Sequence, residues 1–142
     1  MAKKYVEVVA AILVKDGKVF AARRKPSAHL AGFWEFPGGK VEVGETAEQC
    51  LARELQEELN IVVRVGEYIG ENMHDYGIKV VRLVAYLVEH LSGNLELIEH
   101  DEMRWLSLDE LESVEWAPAD IPLVEKYRRM PTFDKEIIRT NG

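Results

Sequence analysis

Three carboxylates, Glu54, Glu57 and Glu58, sit close together in the stretch RELQEEL. On a helix turning about 100° per residue they share roughly one 100° arc, because positions i, i+3 and i+4 are neighbours. Leu51, Leu55 and Leu59 place that arc at the edge of a buried face, where a lower dielectric makes the repulsion among the acids larger. Arg53 is the helix cation adjacent to them, and one guanidinium does not balance three carboxylates. Two readings compete. One is a solvated acidic face, since Glu forms helices well. The other is a platform for a hard divalent cation such as Mg²⁺, which takes oxygen ligands from a few carboxylates, water and substrate phosphates. A solvated face would be better served by alternating signs, and the flanking residues favour the cation. Gly38 and Gly39 offer exposed backbone groups just before the helix, and Lys40 follows them. Glu45 stands ahead of the helix start, where an anion suits the helix dipole or pairs with Arg53.

The element carrying these acids has its own start and stop signals. Thr46 with Gln49 forms a capping box, and Asn60 is suited to the left-handed position that ends a helix. Upstream, the apolar run Val6–Val14 reads as a buried strand. It turns back through Asp16-Gly17, a type I′ hairpin signal, into a second strand over Val19–Lys25. The segment from Pro26 to Gly39, punctuated by glycine and proline, reads as a loop. Downstream, 61–70 and 78–91 read as strands joined through a turn near HDYG, and a short strand surrounds Trp105. A second capping box, Ser107 with Glu110, opens a further helix, and a last helix is expected from about Asp120 to Met130. The order β-β-α-β-β-α-α points to an α/β (α+β) class, with a mixed sheet covered by helices and not a doubly wound parallel sheet. The expected organisation is one domain over 1–130 followed by a tail over 131–142.

A length of 142 residues suits one domain with a proper core. The net charge of −7 argues against a nucleic acid polymer as partner and against an anionic membrane surface. No apolar run approaches the roughly 20 residues needed to span a bilayer, and the N-terminus enters a strand pattern directly. One cysteine, Cys50, forbids an internal disulfide, which fits a cytoplasmic setting. A monomer or a homodimer fits equally well.

The spacing Gly39, five residues, Glu45, seven residues, then Arg53 to Glu58 with Ile61 resembles the Nudix box, G-x5-E-x7-R-E-U-x-E-E-x-G-U. Asn60 departs from the usual Gly, in a conformation Asn also adopts. The resemblance implies an α/β/α sandwich that hydrolyses nucleoside diphosphates linked to another moiety, using Mg²⁺ or alternatively Mn²⁺. By position, Glu54, Glu57 and Glu58 would be metal ligands, joined by a carbonyl of Gly38 or Gly39, while Glu45 and Arg53 would brace the loop and helix. The stretches ARRKPSAHLAGFWEFPGGK and WAPADIPLVEKY extend the likeness to MutT-type nucleotide-sanitising enzymes, and within them to the CTP pyrophosphohydrolase branch. This implies cleavage of a nucleoside triphosphate to monophosphate and pyrophosphate. In that group a further acid precedes the late tryptophan strand, and Glu99 matches it. Glu54 and Glu99 each remain open as ligand or general base.

Substrate contacts are expected from Arg24, His29, Glu35, Lys40 and Asp120. Asp120 matches a position where the 8-oxo-dGTP enzymes carry Asn. An ionised Asp only accepts hydrogen bonds, which suits an exocyclic amine such as N4 of cytosine. Asp120 is equally placed to cap the last helix. Phe33 and Trp34 fit either a base pocket or the core, and Cys50 fits packing. His74, His90 and His100 lack metal-ligand spacing. A (d)CTP-like or modified nucleotide is thus expected, with 8-oxo-dGTP as the alternative and a non-catalytic nucleotide-binding module as the reading from another class.

Overall fold

A computed structural model describes residues 3–131. The strands are β1 (Lys4–Lys15), β2 (Lys18–Arg24), β3 (Trp34–Glu35), β4 (Gly38–Lys40), β5 (Val62–Asp75), β6 (Lys79–Ser92) and β7 (His100–Leu106). The helices are α1 (Ala47–Leu59), a 3₁₀ turn over Leu108–Ser113, and α2 (Ile121–Arg129). Neighbouring strands run in the order β3-β2-β1-β6-β5, with β4 paired to β1 and β7 to β2. Only β1 and β6 are parallel among these pairs, from Lys4 opposite Lys79 to Leu13 opposite Val88. The sheet is therefore mixed, as expected.

The centre of β1 is buried on both faces, which explains why its sequence is continuously apolar and not alternating. Val9, Ala11 and Leu13 pack toward Leu51, Leu55 and Leu59 of α1. Ala10, Ile12 and Val14 join the cluster that contains Leu123, Val124 and Tyr127 of α2. The sheet thus lies between the two helices, giving the three layers of a sandwich.

The local signals near the acids act as expected. Asp16 and Gly17 both have positive φ, 52° and 75°, as a type I′ turn requires. Gln49 N–H donates to Thr46 Oγ1 at 3.1 Å, Thr46 N–H donates to Gln49 Oε1 at 3.0 Å, and Asn60 is left-handed.

Three expectations need correction. The segment opened by Ser107 is a 3₁₀ turn, because Glu110 N–H bonds the Ser107 carbonyl at 2.9 Å. It cannot lengthen, since the chain just beyond is drawn into a bridge in which Trp34 N–H donates to the Glu115 carbonyl at 2.8 Å. The loop 26–39 contains β3 and the start of β4, strands too short to show a period. β5 continues past Gly70 to Asp75, held by its ladder to β6. The expected tail lies outside the described residues apart from Pro131. Among the described residues no helix is long and apolar enough to cross a membrane.

Candidate active site

Helix α1 carries Glu54 and Glu58, and the segment leading into β7 brings Glu99 to meet them. One carboxylate oxygen from each of the three lies within 4.8 Å of the others. Glu58 is buried and accepts a hydrogen bond from Gly38 N–H at 3.2 Å, Glu54 is half-buried, and Glu99 is exposed. Gly39 lies so close that a Cβ there would fall 2.3 Å from the Glu54 carboxyl carbon. Glycine at 39 is thus what lets β4 run against the acid cluster.

Arg53 organises the border of this cluster. Its Nε and Nη2 form a two-pronged pair with Glu45, at 2.7 and 3.0 Å. Its Nη1 reaches Glu54 at 2.8 Å and Glu57 at 3.3 Å. The Arg53 guanidinium, helped by the Glu42 backbone N–H, holds the Glu45 carboxyl down at about 2. Glu45 is therefore a fixed anion that braces the loop onto the helix. Glu57 stays exposed beside Arg53, outside the three-acid cluster.

Burial, and then the charges of Glu54, Glu35 and Glu99, push the Glu58 carboxyl up to about 9. Burial with Glu57 and Glu99 also raises Glu54. The donor set is all oxygen and only partly compensated, by the Arg53 guanidinium at Glu54, which fits a hard divalent ion such as Mg²⁺ or Mn²⁺ and not a soft metal. A metal must displace the Glu58 proton throughout the range below about pH 9. Apparent Mg²⁺ affinity should therefore rise about tenfold per pH unit between roughly pH 6 and 8, as one proton is released per ion. Calorimetric titration of the metal-free protein measures this, and a flat profile would contradict the raised carboxyl.

A cleft of about 240 Å³ opens over Glu58 and Glu99 and is walled by Arg24, Glu35 and His100. Arg24 and Glu35 also wall a neighbouring cleft of about 130 Å³, which contains His29, Tyr76, Lys79 and Asp120. Arg24 Nη1 donates to Glu35 Oε1 at 2.9 Å, and its Nε donates to the His29 carbonyl. The fold thus joins Arg24, His29, Glu35 and Asp120 beside the acid cluster. Lys40 is exposed and lines neither cleft, although its carbonyl accepts from Arg53 at 3.3 Å.

Asp120 precedes α2 but makes no side-chain cap, and instead its Oδ2 accepts from Phe36 N–H at 3.0 Å. Burial and the nearby Glu35 raise its carboxyl well above the usual range, which favours the protonated form. A protonated carboxyl donates as well as accepts. An acceptor-only Asp120 requires the ionised form, which its burial opposes.

Trp34 is a core residue, buried and bridged to Trp116. Tyr76 has no sequence pattern to mark it, being a turn residue. Its ring lies 5.7 Å from His29 and 4.4 Å from His74, and its hydroxyl accepts from Ala119 N–H at 3.2 Å. His100 is likewise unmarked, since its partner Glu35 is distant in the chain.

The family profile described as NUDIX domain matches residues 3–127. The chain is 44% identical over 124 residues to the CTP pyrophosphohydrolase of Escherichia coli (strain K12), covering 87% of this chain and 92% of that protein. It is 34% identical to the 8-oxo-dGTP diphosphatase of the same organism, covering 90% and 99%. The crystal structure of MutT protein from Methanosarcina mazei Go1 superposes with a TM-score of 0.82 at 27% identity, over 91% of this chain and 96% of that one.

Proposed function

Because this chain belongs to the Nudix family, we propose that it is a nucleoside triphosphate pyrophosphohydrolase that converts a (d)CTP-like or modified-base nucleotide to monophosphate and pyrophosphate. The observation carrying this reading is that the two clefts share walls. The acid cluster that suits a cation on the phosphates opens beside the residues suited to a nucleobase, with Arg24 and Glu35 shared between them.

Glu54, Glu58 and Glu99 would hold the metal, with Glu57 and a carbonyl of Gly38 or Gly39 available to complete the set. The chemistry supplied by bound Mg²⁺ or Mn²⁺ is neutralisation of phosphate oxygens and activation of water. The protein's own contribution is preorganisation. Arg53 keeps Glu45 and Glu54 in place, and the Gly38 N–H orients Glu58. Arg24 carries its charge at the junction of the clefts, where a triphosphate meets its nucleoside. In its protonated form Asp120 offers one donor and one acceptor to the base.

That pair of capabilities suits cytosine, and it also suits the two-sided edge of an oxidised purine. The higher identity to the CTP pyrophosphohydrolase favours the pyrimidine, with 8-oxo-dGTP as the second reading. Comparing kcat/KM for dCTP, 5-methyl-dCTP, 2-hydroxy-dATP and 8-oxo-dGTP, with products identified, tests the assignment. The cytosine nucleotides should lead, and a clear lead for 8-oxo-dGTP would select the alternative. EDTA should abolish turnover and Mg²⁺ should restore it. Tight nucleotide binding without turnover on any substrate would make the chain a binding module instead.

A further inference from the structure

Glu99 differs from the other two cluster acids in having no helix beneath it. Two backbone bonds anchor the segment before it to the end of α1: Glu96 N–H to the Leu59 carbonyl at 3.0 Å, and Ile98 N–H to the Glu58 carbonyl at 3.2 Å. Directly after it comes His100, whose side chain is only 3% exposed. The imidazole Nε2 lies 2.8 Å from Glu35 Oε2, and the other Glu35 oxygen accepts from Arg24 at 2.9 Å. With a carboxylate opposite, Nε2 carries the proton and donates. Nδ1 is buried and finds no hydrogen-bond partner among the described residues, so the bond to Glu35 is the one polar contact the ring makes.

The strand pairing explains why the ring points inward. Arg23 pairs with Glu102 while Arg24 pairs with His100, so Asp101 is an extra residue in the ladder. A bulge of this kind re-aims the side chains beside it. Asp101 turns outward to the Arg23 guanidinium at 2.8 Å, and His100 turns into the protein.

We propose that His100 is a positioning residue, whose hydrogen bond to Glu35 holds Glu99 in the acid cluster and holds Arg24 at the junction of the two clefts. It ligates nothing and transfers no proton. The ring ties the backbone next to Glu99 to a side chain that borders both clefts. Without its donor, Glu35 has one partner fewer, and Arg24 and Glu99 lose a common fixed point. This inference rests on the proposed function, because Glu99 matters only where a cation is held.

The test uses the full-length, metal-free protein with Mn²⁺ as probe, bound ion being counted by electron paramagnetic resonance, alongside kcat and KM. His100→Leu fills the space without a donor, whereas His100→Gln places an amide N–H at a similar reach. Partners that orient metal ligands typically contribute about 10–100-fold. His100→Leu should weaken Mn²⁺ binding and lower kcat within about that range, at little change in thermal midpoint, while His100→Gln should recover most of both. Wild-type Mn²⁺ affinity and kcat in a folded His100→Leu protein would overturn the proposal. So would a loss in His100→Gln as deep as in the leucine variant. If His100→Leu does not fold, Glu35→Ala breaks the same bond from the other side and should weaken Mn²⁺ binding similarly, unchanged binding being the refuting result. A wild-type protein that takes up no Mn²⁺ would instead refute the proposed function, and this inference with it.

Discussion

Replacing Glu58 by Gln should lower kcat by about 10³-fold or more, the several kcal/mol expected when a proposed ligand of the charge-neutralising cation is lost. The metal-free variant should nevertheless fold as well as the wild type near neutral pH. Glu58 is buried with its carboxyl pushed up to about 9, so the isosteric amide stands in for a group that is protonated there already. Gln can also keep the bond from Gly38 N–H. The sign follows from linkage: an acid raised on folding contributes stability in full below its unfolded value, near 4.5, and loses it as pH rises through about 9. The thermal midpoint of the metal-free wild type should therefore fall toward pH 9, and that of Glu58→Gln should fall less. Mg²⁺ should raise the wild-type midpoint and leave the variant nearly unmoved, since only a state that binds the ion is stabilised by it. Turnover within tenfold of wild type would remove Glu58 from the metal site.

The second large effect separates two adjacent glycines. A Cβ at residue 38 would lie 2.0 Å from the Val9 carbonyl oxygen and 2.9 Å from its carbon, both backbone atoms of a central strand. Neither can yield without opening the β4–β1 pairing. Gly38→Ala should thus cost about 3 kcal/mol or more, on the order of 10 °C in thermal midpoint, and abolish activity along with it. A Cβ at residue 39 instead meets the end of the Glu54 side chain. A carboxylate can swing aside, so Gly39→Ala should leave the midpoint within a few degrees and still lose metal affinity and turnover. Melting curves and Mg²⁺ titrations of both proteins decide the matter. A folded, active Gly38→Ala would show that β4 can move away from β1.

What the sequence made legible depended on how local the physics was. Glu54 and Glu58 could be placed together from helical period alone, and Thr46, Gln49 and Asn60 marked the ends of that helix through bonds spanning a few residues. Asp16-Gly17 was equally local. Glu99 was accessible only through resemblance, because nothing near it in the chain says that it faces α1. The same period could not say that Glu57 would remain exposed beside Arg53, since a side chain at the edge of an arc turns toward its best partner. Asp120 was hard to judge for a related reason. Its residue type says carboxylate, whereas its burial and the nearness of Glu35 push that carboxyl toward the protonated form. The short strands β3 and β4 escaped notice because two or three residues show no alternation, and Ser107 with Glu110 began a turn that the Trp34 bridge cut short. His100 needed both the Asp101 bulge and the return of Glu35, two facts of register that no window of sequence contains.

The one parallel pair of strands among the described residues, β1 with β6, also sets a schedule for how the molecule is made. Antiparallel neighbours β1 and β2 can zip as soon as their hairpin exists, but Lys4 meets Lys79 only after all the intervening chain has been produced. Contacts so distant in sequence are slow to form because the chain entropy of closing them is lost before the contacts reward it. Until then the apolar run Val9–Val14 lacks its β6 partner, an exposed edge on a growing chain. The acid-bearing helix can therefore form early, yet β6 must dock before the sheet beneath it is complete. On the ribosome this edge should stay unpaired until β6 has emerged, and the protein should become competent to bind a divalent ion only after that.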